Sequence, residues 1–185
     1  MTDSTSRNEA LARRAFAAWS PELLALFDGA ALAAKIGFCA SLVVCDIGGA
    51  LRTSLLSVGE LYAPDEGSLA FALWPTSRAA RALTAGGPCR AALTFVHDAW
   101  FYQVQLAVEP LPDPRAAGAE GPGPAVFLGI IEQGEAQQVA YAHLAGGISF
   151  ALDGEAGDAV LARWARQIVH LREAAHCAAS AQRSR

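Results

Sequence analysis

Between residues 35 and 110 the chain alternates apolar, β-rich runs with turn signals, and the runs come in pairs close enough to form hairpins. "KIGFCASLVVCD" (35–46) passes through "IGGA" into "ALRTSLLSVGELY" (50–62), which reads as one strand. "CRAALTFVH" passes through His97, Asp98 and Ala99 into "WFYQVQLAVEP". Connections this short demand antiparallel pairing, because a parallel partner needs a crossover of roughly a dozen residues or more. Between the hairpins lie a turn, "APDEGS", a third strand, "LAFALW" (69–74), and "PTSRAARALTAGGP". In the last of these, Thr76 or Ser77 can cap a short helix that Gly86, Gly87 and Pro88 must end.

Further on, "AVFLGIIEQ" and "GISFALDG" read as two more strands, with room for a helical turn in "GEAQQVAYAHLAG" between them. "LPDPRAAGAEGPGP" (111–124) reads as a surface loop. The flanks read as helices. At the N-terminal side (8–28), the alanine-rich pattern from Asn8 to Trp19 predicts one helix, and Ser20 as N-cap with Pro21 at the first helical position predicts a second. From Gly157 to about residue 180, Val160, Trp164, Ile168, Leu171 and Ala175 recur at three- and four-residue spacing and predict an amphipathic helix. Six or seven short strands with one embedded helix and helices at both ends predict a mainly β, α+β fold, a small antiparallel barrel over 35–152, in a single domain of 185 residues.

Composition narrows the function. With 53% hydrophobic and 17% charged residues the chain is too apolar for disorder, yet it carries no membrane-spanning apolar run. A net charge of −4 without a block of lysine or arginine argues against nucleic acid or an anionic membrane as partner. The N-terminal residues have no signal-peptide core, so a cytoplasmic location is expected. Cys39, Cys45, Cys89 and Cys177 have neither metal-ligand nor redox spacing, and the four histidines show no His-Glu-x-x-His pattern, so no metal site is expected.

The misfit in the second strand is Arg52. Side chains alternate along a strand, so Arg52 and Ser54 project from one face, Thr53, Leu55 and Ser57 from the other. Thr76, Ser77 and Arg78 stand where the short helix begins, where free backbone N–H groups favour an anion. If the third strand pairs near the second, the two segments meet, and two guanidiniums and several hydroxyls then supply the planar and tetrahedral donors a phosphate takes. Alone, an arginine in a strand is also an ordinary edge residue or ion-pair partner, and Thr-Ser at a helix start is also simply a cap.

In their order and spacing, "RTSLLS" (52–57), "WPTSRAARAL" (74–83) and "WFYQVQL" (100–106) resemble the FMN-binding split-barrel superfamily of pyridoxamine 5'-phosphate oxidase-like proteins. The resemblance runs from about residue 30 to 110. It implies a split barrel, a homodimer with flavin sites between subunits, and FMN as cofactor. Arg52 then anchors the phosphate with Ser77 and Arg78, aided by Thr76. Ser54, Leu55, Leu56 and Ser57 lie along the isoalloxazine ring, and Gln103 reaches the ring edge. Two departures stand out: Ala79 replaces a lysine frequent in the family, and the tryptophan-and-arginine substrate signature of the true pyridoxamine phosphate oxidases is absent. The implied activity is thus an FMN-dependent oxidoreductase acting on a small molecule of unknown identity. A deazaflavin in place of FMN fits the same resemblance, and the alternative is a non-catalytic barrel that holds flavin, heme or another planar ligand, or holds none and acts through its dimer surface.

Overall fold

The computed structural model describes residues 11–85, 89–112 and 123–183, in which eight strands form one antiparallel sheet. In chain order these are β1 (Ala12–Phe16), β2 (Cys39–Cys45), β3 (Leu51–Ser57), β4 (Leu61–Tyr62), β5 (Ser68–Leu73), β6 (Cys89–His97), β7 (Trp100–Pro110) and β8 (Ala125–Gln138). The α-helices are α1 (Pro21–Leu26), α2 (Arg78–Thr84) and α3 (Gly157–Arg183). Both expected hairpins form, β2 with β3 and β6 with β7. Most of the loop expected at 111–124, the glycine-proline stop at 86–88 and the first residues of the expected N-terminal helix lie outside the described residues.

Across the sheet the order is β3-β2-β6-β7-β8-β5-β4, with β1 beside the later half of β8. β3 and β4 therefore stand at opposite ends of the order, yet only the 3-10 turn Val58–Glu60 separates them in sequence. Four Cα steps reach no more than about 15 Å, so the sheet must curl until its ends approach. The result is a split antiparallel barrel with helices at its flanks. The stretch 50–62 is consequently two strands with a corner between them. Ser57 and Glu60 make that corner: Glu60 Oε2 accepts from the Ser57 N–H at 2.7 Å and from its hydroxyl at 2.9 Å. Gly59 permits it, since a Cβ there would sit 2.0 Å from Trp164 Cγ of α3.

The barrel interior is filled by residues of alternating parity, among them Leu42, Phe71, Leu93, Val104, Leu106 and Phe127, all fully buried. On the outer side of β5 and β8, Ala70, Ala72, Val126 and Leu128 receive Ile168, Leu171 and Ala174 of α3. The small alanines let the helix lie close to the sheet. Trp164, Ile168, Leu171 and Ala175 are buried, as the helical spacing predicts. Among the described residues no helix is long and apolar enough to cross a membrane.

Two expectations need correction. The alanine-rich segment before Trp19 is not a helix: its described part contains β1, paired to Gly134–Gln138 of β8. Alanine's preference for helix is a few tenths of a kcal/mol per residue, and the open edge of β8 outweighs it with ladder hydrogen bonds and a specific seat for Phe16. That ring lies where a Cβ on Gly134 would come within 2.2 Å of it, and it also packs against Trp19 and Tyr102. "GISFALDG" is not a strand either, and β8 runs on through Gln138 where a helical turn had room. In this stretch Phe150 packs instead of pairing, edge-on to Trp164 at 6.0 Å, while Ile148 stays exposed.

Candidate functional site

Arg52 sits one strand from the core, opposite Val44 of β2, on the parity that faces inward farther along β3. Its guanidinium meets Asp46: Nε donates to Asp46 Oδ2 at 2.9 Å, and Nη2 lies 2.8 Å from the same oxygen. The other carboxylate oxygen accepts from the Gly48 and Ala50 amides, both at 2.9 Å. The tight turn of the hairpin thus builds a carboxylate whose second oxygen fixes the arginine. The Ala50 amide and then Arg52 hold the Asp46 carboxyl below its ordinary range. Arg52 keeps about a third of its side chain exposed.

Two adjoining cavities open around it. One, of about 360 Å³, is lined by Arg52, Thr53, Ser54, Ser77 and Arg78. The other, of about 410 Å³, is lined by Asp46, Ile47, Arg52, Arg78 and Arg81. The structure therefore brings Arg52 and Ser54 of β3 together with Ser77 and Arg78 at the start of α2. They meet by contact of α2 with the β2-β3 edge; the third strand, β5, pairs with β4 and β8 and takes no part. Ser77 caps α2, its hydroxyl accepting from the Ala80 N–H at 3.1 Å. With only seven residues in α2, its dipole is small, and the site's positive charge comes from side chains.

The remaining predicted residues lie elsewhere. Leu55 is 55% exposed on the outer face, Leu56 is in the core, and Ser57 is spent in the corner with Glu60. Thr76 is exposed and lines neither cavity. Gln103 is exposed on the outer face, in a cross-strand row with Thr94, Ser41 and Leu55. Three strand spacings of about 4.8 Å separate it from β3, and it stands on the face opposite to that of Arg52.

Sequence reasoning missed Arg81. It lies three residues after Arg78, so both project from the same side of α2, and both line the larger cavity. Neither has an acidic partner within 4 Å among the described residues. The i, i+3 spacing in "SRAAR" was the available signal. Ala79 is 2% exposed and packs in the core, so a second positive charge on α2 is accommodated at Arg81 and not at position 79. Elsewhere, burial raises the Cys39 thiol above its ordinary range, which keeps it protonated at neutral pH.

The fold is a split barrel, and this cluster places three arginines and two serines at one edge of it. No family model and no curated protein matches the chain. Solved structures to which it is similar include a candidate pyridoxamine 5'-phosphate oxidase from Lactobacillus delbrueckii, with 18% identity over 64% of this chain and 94% of that one at a TM-score of 0.47. Another is HupZ of Group A Streptococcus, with 13% identity, 72% and 99% coverage and a TM-score of 0.45. A third is an FMN-binding protein from Syntrophomonas wolfei, with 12% identity, 61% and 85% coverage and a TM-score of 0.37.

Proposed function

We propose that this chain binds FMN, anchoring its phosphate between β3 and α2. The observation that carries the reading is the meeting of Arg52, Ser54, Ser77 and Arg78 around one cavity, with Arg81 in the adjoining one. This donor set fits a phosphate dianion: guanidiniums offer paired N–H groups and hydroxyls fill the remaining directions. Asp46 orients Arg52 and leaves its other N–H groups for the ligand. A bound flavin supplies the electron transfer. The chain's part is to hold and orient it. Among the described residues the two cavities present no carboxyl, thiol or imidazole besides Asp46, which Arg52 already engages, so this end of the site serves to anchor. The reading is a flavin-dependent oxidoreductase whose electron transfer resides in the cofactor, with a flavin carrier as the alternative.

The same reading includes a homodimer. Ile47 and Leu51, which line the cavities, are 90% and 70% exposed, Leu55 on the outer face of β3 is 55% exposed, and α3 covers β5 and β8, leaving that edge uncovered. A second copy would cover these residues and close the ring end of the site. The test is titration of the purified protein with FMN and with riboflavin, followed by flavin fluorescence, together with sedimentation of the protein and its Leu55→Glu variant. Tight FMN binding with riboflavin much weaker supports the phosphate anchor, and equal or no binding of the two sinks it. A Leu55→Glu monomer supports the dimer, whereas unchanged sedimentation of a dimeric variant removes that edge from the interface.

A further inference from the structure

A third cavity, of about 160 Å³, lies under α3 beyond the end of β5 and shares no lining residue with the two around Arg52. Its helical wall is Arg163, Arg166, Gln167 and His170. These positions follow i, i+3, i+4 and i+7, so they form one stripe along α3, beside the apolar stripe that packs on the sheet. Facing them are Glu60 and Trp74. Glu60 has its Oε2 committed to the Ser57 N–H and hydroxyl. Neither Arg163 nor Arg166 has an acidic partner within 4 Å among the described residues.

An amphipathic helix needs only its apolar stripe to pack, and that stripe is already satisfied by Trp164, Ile168 and Leu171. The polar stripe leaves two guanidiniums, an amide and the buried His170 imidazole around a recess with a single, partly engaged carboxylate. Donors are in excess there. The recess also has a flat apolar wall, for the Trp74 ring is 62% exposed. Its volume is well below the roughly 300 to 1,000 Å³ of sites for drug-sized ligands, which limits the occupant to about one ring.

We propose that this cavity binds a small planar carboxylate, its acid group on Arg163 and Arg166 and its ring against Trp74. Paired guanidinium N–H groups match the two oxygens of a carboxylate, and the exposed Trp74 ring offers a face on which a planar group can stack. The proposal does not depend on flavin binding, because the two sites have separate residues.

The test is calorimetric titration of the full chain with benzoate, with benzamide as the neutral molecule of the same shape. Benzoate is expected to bind at least tenfold more tightly than benzamide. The Arg163→Gln, Arg166→Gln double variant is expected to lose tenfold or more of the benzoate affinity. Trp74→Leu should weaken both ligands several-fold, while Arg90→Gln, a control for lost positive charge on an exposed strand residue, should leave benzoate unchanged. Both arginines are exposed, so the double variant should keep the melting temperature of the parent. Equal binding of benzoate and benzamide, absence of benzoate binding, or full affinity in the folded double variant would each overturn the proposal.

Discussion

The two ends of β3 are six residues apart and do opposite things. At its start, Arg52 and Ser54 line an open cavity and the arginine is steered by Asp46. At its finish, Leu56 is 3% exposed and Ser57 8%, the one packed in the barrel and the other locked to Glu60. One short motif thus divides into a half that meets ligand and a half that turns a corner. Alternation alone does not reveal the division, because it depends on where the barrel closes over the strand.

Substitutions can break or sharpen this contrast. The largest effect is expected at the corner: Gly59→Ala places a methyl on Trp164, and overpacking of this kind costs about 3 kcal/mol or more where neither side can move. Denaturant unfolding measures it, and a loss under about 1 kcal/mol would show that α3 yields at this point. Next, Leu56→Ala should cost about 2 to 5 kcal/mol of stability through the cavity it leaves. FMN affinity in the folded fraction should stay as it was; if affinity falls as well, Leu56 belongs to the ligand half.

For the other end, Arg52→Ala should weaken FMN binding by roughly 1.5 to 3 kcal/mol through loss of charge-assisted hydrogen bonds. Riboflavin binding should be insensitive to the change, and a folded variant with undiminished FMN affinity would remove Arg52 from the site. The smallest effect is expected from Asp46→Asn. The Asp46 carboxyl is held below its ordinary range in the folded chain, so its contribution to stability is present above the unfolded value of about 3.9 and fades as the pH falls through the folded value. The melting difference between parent and variant should therefore be greatest near neutrality and shrink below about pH 4. A difference that stays constant to pH 2 would mean that the charge of Asp46 is not what orients Arg52.

How much of this was legible beforehand follows the range of the forces involved. The strands of the two hairpins, the Ser77 cap and the buried stripe of α3 are set by near neighbours, and periodicity shows them. β1 is not, because its partner lies more than a hundred residues away on β8 and its own alanines speak for helix. The meeting of Arg52 with Ser77 and Arg78 was readable as a condition, and α2 meets that condition without the strand pairing from which it was argued. The engagement of Arg52 by Asp46 was within reach, since "CDIGGALR" places an acidic residue just before the turn that the arginine follows. Arg81 escaped because the resemblance directed attention to position 79, a buried one. The distance of Gln103 from β3 needed the strand order, which no local pattern shows.

β8 also sets a schedule. It is the common neighbour of β1, β5 and β7, and it begins only at Ala125. During synthesis, the β2-β3, β4-β5 and β6-β7 pairs can form as they emerge, whereas β1 and the other edge of β5 must wait for β8. Pairing between such remote segments is the slow step in β-rich folding. Until residue 134 leaves the ribosome, Phe16 has no Gly134 to lie against, and an unpaired segment of this kind is open to the wrong partner for that long.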